Sequence, residues 1–69
     1  MNYNEACGRI EKMVATAEFK ALSIGYNGMK RGPGRYTTTA KNPQGVRVSL
    51  AYSGSYKDMV NEVRDYFKA

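Results

Sequence analysis

Residues 35–52 read RYTTTAKNPQGVRVSLAY, and the parsing of this stretch decides the fold. Asn42-Pro43-Gln44-Gly45 at its centre suits a type I turn: asparagine favours the first position, proline presets φ at the second, and glycine suits the fourth. A turn there makes the flanks two antiparallel strands. Successive strand side chains point to opposite faces, so the residues sort by parity. Tyr36, Thr38, Ala40, Val46, Val48, Leu50 and Tyr52 fall on one face, which is mainly apolar. Arg35, Thr37, Thr39, Lys41, Arg47, Ser49 and Ala51 fall on the other, which is basic and hydroxylated and carries no aromatic ring.

Working outward, Asn27 to Gly34 (NGMKRGPG) contains three glycines and Pro33, which exclude a regular element, with Lys30 and Arg31 at its middle. Before it, Phe19 to Tyr26 reads as a first strand with Leu22, Ile24 and Tyr26 on one face. Phe19 is out of phase with Leu22, which puts the corner there; a helix prolonged through FKALSI is the competing reading. Asn2 and Glu5 form a capping box, and Tyr3, Ala6, Cys7, Ile10, Met13, Val14 and Ala17 follow as a helical stripe. Gly8 beside the stripe either permits a close approach or is merely tolerated. Ser55 and Asp58 form a second capping box ahead of a second stripe, Tyr56, Met59, Val60, Val63, Tyr66 and Phe67.

The order α-β-β-β-α predicts an α+β fold in which both helices pack on the even face of a three-stranded antiparallel meander. The odd face is left to solvent or a partner. The 69 residues form a single small domain, 1–69, with 42% apolar and 25% charged residues, which argues against disorder. A core of this size supplies only about 3–5 kcal/mol, so a homodimer or a stabilising partner stays open. Cys7, the one cysteine, reads as core packing in a reducing compartment. With no apolar leader and no membrane-length run, a soluble cytoplasmic protein without membrane contact is expected.

The net charge of +5 is unevenly distributed. Residues 1–18 and 54–69 nearly balance, whereas residues 19–53 carry six cations and no acid. There is no histidine, no paired-cysteine pattern and no central carboxylate, so neither catalysis nor a metal or other cofactor is expected. The loop around Lys30 superficially resembles a phosphate-binding loop. It leads into a strand, however, where a Walker-type loop must open a helix.

Nucleic-acid binding fits better. Lys30, Arg31, Arg35, Thr37, Thr39, Lys41 and Arg47 are the expected contacts to the phosphates of duplex DNA or RNA, because cations with short hydroxyl donors suit phosphate and a sheet can enter a major groove. The bland alternative is a sheet that uses its charges to stay monomeric. A third reading is a small inhibitor of the phage or mobile-element type that blocks a host protein through an acidic surface. Tyr26, Tyr52 and the loop Met29–Arg31 would be its anchors, although parity places both tyrosines on the core side.

Gly32-Pro33-Gly34-Arg35 resembles the Gly-Pro-x-His loop of the double-stranded RNA-binding domain, with arginine for histidine, and Ser55 and Lys57 echo the start of that family's second helix. Tyr56, Met59 and Val60 stand where the family needs lysine or small residues, and its basic triad is missing. Membership is therefore not assigned. The half from Arg35 to Phe67 is similar in architecture to sheet-type DNA readers of the integrase-arm kind.

Overall fold

The computed structural model describes residues 1–28 and 34–68. Its elements are α1 (Tyr3–Thr16), β1 (Lys20–Tyr26), β2 (Tyr36–Lys41), β3 (Arg47–Ser53) and α2 (Tyr56–Lys68). The strands form one antiparallel sheet in the order β1-β2-β3, and both helices pack against one side of it. This is the expected α+β arrangement.

Local chemistry sets the boundaries. The Asn2 side chain accepts from the Glu5 amide at 2.8 Å and opens α1, satisfying one of the free N–H groups of its first turn. At the other end the Phe19 amide donates to the Val14 carbonyl at 2.9 Å and the Glu18 amide to that of Ala15 at 3.0 Å. That pair is a Schellman motif, with Glu18 at the left-handed position, φ 62°. The motif turns the chain by one sharp corner, which explains why Phe19 is out of phase with β1. Ser55 Oγ caps α2 by accepting from the Asp58 amide at 3.2 Å. Between β2 and β3, Gly45 N donates to Asn42 O at 2.8 Å, and Gly45 has φ 82°, as in a type I turn closed by a left-handed glycine. The Asn42 carboxamide also accepts from the amides of Gln44 and Val46.

The core lies between the layers. Ala6, Ile10 and Val14 from α1 and Met59, Val60 and Val63 from α2 are buried against Tyr36, Ala40, Leu50 and Ala51. Tyr3 meets Tyr56 at one end, with ring centroids 5.7 Å apart, and Phe19 meets Phe67 at the other, at 5.0 Å. The two helices therefore run in the same direction, with both N-termini at the tyrosine end. Nothing approaches Gly8 within 4 Å of where a Cβ would stand, so this glycine serves no close contact.

Two bulges break strict alternation. In β3, Thr38 pairs with Ala51 but Thr39 pairs with Ser49, leaving Leu50 as an extra residue. Leu50 and Ala51 are consecutive, yet both are only 4% exposed, an arrangement a bulge permits and regular alternation forbids. From that point the parity of β3 is inverted. Ala51 and Ser53 turn inward, and Tyr52, paired with Thr37, turns outward at 59% exposure. Simple parity places Tyr52 inward and Ala51 outward, and both placements are corrected here. In β1 a second shift lies between Lys20 and Ser23, where Ala21 has φ 53°. Val46, assigned by parity to the apolar face, lies in the turn region and is 56% exposed.

Candidate binding face

The side of the sheet away from the helices is the candidate site. The pairings Ser23–Thr39, Gly25–Thr37, Thr39–Ser49 and Thr37–Tyr52 place hydroxyls from all three strands on it. Lys20 pairs with Lys41, and Lys41 pairs with Arg47. One cation from each strand thus stands in register, and all three are exposed. Like charges directly opposite one another destabilise a sheet, and the stretch from 19 to 53 contains no acid to offset them.

Arg47 is the best positioned of the three. Its Nη1 donates to Thr39 Oγ1 at 2.9 Å and to the Ala21 carbonyl at 3.1 Å. The side chain therefore lies across β2 to reach β1. The left-handed backbone at Ala21 belongs to the bulge that frees its carbonyl for this contact. Guanidinium carries five donors, and among the described residues only those on Nη1 are engaged. The remaining donors are available to an acceptor above the sheet.

At the opposite end of the face, the Tyr52 ring covers Gly34. A Cβ on Gly34 would stand 2.3 Å from Tyr52 Cζ, and Gly34 has φ 85°, so the position needs glycine for both backbone and space. Gly25 leaves a shallow site beside Thr37, whose Oγ1 would lie 3.1 Å from an added Cβ. The face as a whole runs from a row of cations, through a hydroxylated middle, to one exposed aromatic ring.

Of the sequence-predicted contacts, the structure brings Thr37, Thr39, Lys41 and Arg47 together on this face. Lys30 and Arg31 lie outside the described residues. Arg35 is elsewhere. Its guanidinium carbon sits 5.2 Å from the Tyr36 ring centroid and 5.6 Å from that of Tyr26. Tyr36 is buried beneath the helix layer against Tyr56. Arg35 precedes the first paired residue of β2, where the chain leaves the left-handed Gly34, so parity does not govern it. Cation–π attraction to two rings does. Arg35 is half-buried, and its Nε has no hydrogen-bond partner among the described residues.

Sequence reasoning offered Tyr52 only as an anchor for a protein partner, and it missed Lys20 and the gathering of tyrosines at the end of the fold where Arg35 lies over Tyr26 and Tyr36. Tyr3, Tyr26, Tyr36 and Tyr56 start a helix, end a strand, start a strand and start a helix. The topology brings those four ends together around a hollow of about 380 Å³. Within the cluster a hydrogen bond with the Tyr56 hydroxyl, and burial, push the Tyr36 phenol above its ordinary value of 10.0. A hydrogen bond with the Cys7 thiol does the same for Tyr3. The usable signal was positional: tyrosines recur at element ends.

Among the described residues no group of three or more His, Cys, Asp or Glu side chains could hold a metal. No described helix is long and apolar enough to cross a membrane. The fold and face describe a small α+β domain with one side of its sheet uncovered by any element among the described residues. The chain matches no family model, no curated protein and no solved structure.

Proposed function

We propose that this chain is a small basic binding domain, without catalytic chemistry of its own, whose open sheet face and 27–34 loop contact the phosphates of a nucleic-acid duplex. The observation that carries the reading is the row Lys20–Lys41–Arg47, one cation per strand in register on an uncovered face. Mutual repulsion within the row is relieved by an anion, and Thr39 and Ser49 beside it supply neutral donors to phosphate oxygens. Three strands spaced about 4.8 Å apart span roughly 10 Å, within the roughly 12 Å width of a B-DNA major groove. Tyr52 adds an exposed phenol that strict parity had denied this face, a further hydroxyl donor to phosphate or sugar.

The test is a salt titration of duplex binding. The three cations of the row alone give a slope of about −2.7 in log K against log salt, a loss of at least about fortyfold between roughly 50 and 200 mM, and contacts from Lys30 and Arg31 steepen it. Reversing Lys41 and Arg47 to glutamate must flatten that slope by about two contacts. Absence of duplex binding at about 50 mM salt, or a slope indifferent to the double reversal, sinks the reading.

A second reading is supported by a different observation, the tyrosine end. Tyr3 and Tyr26 are 46% and 57% exposed, with the Arg35 guanidinium over the Tyr26 ring, and tyrosine with arginine is the composition of protein-interface hot spots. On this reading the chain is an inhibitor-type protein of the phage or mobile-element kind that occupies a host protein's surface. Retention of one protein from nuclease-treated lysate, abolished by Tyr26→Ser with Arg35→Ser and unaffected by Lys41→Glu, selects this reading over the first.

A further inference from the structure

The outer surface of the helix layer carries a feature unrelated to the sheet face. Between the parallel helices runs a groove of about 680 Å³, within the usual 300–1,000 Å³ of binding clefts. Met13, Val60 and Phe67 form its floor, and Met13 and Phe67 are only partly buried there. Arg9 and Lys12 line it from α1, and Arg64 and Lys68 line it from α2. No carboxylate is among the described residues that line it. All six acids of the chain lie on the two helices or at their ends, yet none lines the groove. Glu62 is turned to the sheet, where it accepts from Ser53 Oγ and the Tyr52 amide. Arg64 is held by the neutral Asn61 side chain at 3.0 Å, so its charge is oriented without being cancelled.

From this apolar floor between two basic walls, we infer that the groove docks an acidic amphipathic helix of a partner protein. The occupant presents an apolar stripe at i, i+3, i+4 and i+7 with glutamate or aspartate on both flanks. Parallel helices leave a trough into which a third helix packs, and helix-in-groove recognition reads such a stripe. Cations on both walls, each pair separated by about one helical turn, select for charge on both sides of the ligand. A fatty acid carries one carboxylate at one end and would leave most of the rim unpaired. A nucleic acid would satisfy the rim but not the floor. A second copy of this chain, at net charge +5, would bring like charge to like.

The experiment uses the full chain and a synthetic fluorescent peptide of about 14 residues, roughly four helical turns, built as a leucine stripe flanked by glutamates. Its scrambled isomer has the same charge without the stripe. The ordered peptide should bind at least about tenfold more tightly than the scramble. Arg9→Glu with Arg64→Glu should reduce binding at least about tenfold, as should Lys12→Glu with Lys68→Glu, whereas Lys41→Glu on the opposite face should not. The four rim residues are exposed, and circular dichroism of each variant confirms that it folds. Equal affinity for ordered and scrambled peptides overturns the inference by reducing it to charge attraction. So does binding that both rim variants retain, or displacement of the peptide by a short DNA duplex. Association with phosphatidylglycerol vesicles without peptide binding, or self-association lost in the rim variants, assigns the groove to another occupant and equally overturns it.

Discussion

Glu18 is asked to do what glycine does best. It occupies the left-handed position of the Schellman motif that ends α1, at φ 62°, where a side chain costs about 1–2 kcal/mol. It also brings negative charge to the negative end of the helix dipole. Glu18→Gly should therefore raise stability by about 1 kcal/mol, read as a higher urea midpoint at unchanged slope; a lower midpoint would mean the corner is held differently. The capping residues were legible one by one, because Asn2 and Ser55 act on amides three residues away. Arg35 was not. Its position depends on rings contributed by Tyr26 and Tyr36, which come together only when β1 and β2 pair.

At the level of elements, the strands, the turn and both helices follow from spacing and turn chemistry, and the structure reproduces them. The bulges do not follow. Leu50-Ala51-Tyr52 contains no glycine or proline to mark an irregularity. What inverts β3 is tertiary: Ser53 must face inward to donate to Glu62, while Leu50 must still reach the core. One extra residue satisfies both. Substitution with lysine separates the two registers. Ala51→Lys should abolish cooperative unfolding, since it buries an unpaired charge, while Tyr52→Lys should change stability by less than about 1 kcal/mol, as surface substitutions do. Strict alternation demands the reverse, so urea denaturation of the pair decides between them. The same slip placed Tyr52 on the candidate face, and its counterpart in β1 brought in Lys20. The basic character of the face was thus legible in the sequence, whereas its aromatic end and third cation were not.

Across the whole molecule, the tyrosine end joins both helices to β1 and β2 through Tyr3, Tyr26, Tyr36 and Tyr56. Tyr3 and Tyr36 have phenols raised above 10.0, chiefly by hydrogen bonds within the fold. The unfolded chain ionises them more readily than the folded one. Their contribution to stability is therefore complete below about pH 10 and is lost as pH climbs through the raised folded values. Urea midpoints measured upward from about pH 8 should stay level and then fall beyond about pH 10. Tyr36→Phe should make that fall shallower, and an equally steep decline in the variant would exclude this origin.

The parallel helices carry a consequence for how the chain comes to be folded at all. Each strand neighbours the next in sequence, so the meander forms through short-range closures that are cheap in entropy. The inner side of that meander has no cover until the first and last elements arrive beside each other from opposite ends of the chain. A nascent polypeptide emerging N-terminus first can thus shape its sheet early, yet it keeps Ile10, Val14 and Leu50 wet until Met59 and Val63 have left the ribosome. Commitment to the native state therefore waits on α2. During that interval the exposed apolar layer is a natural target for chaperones.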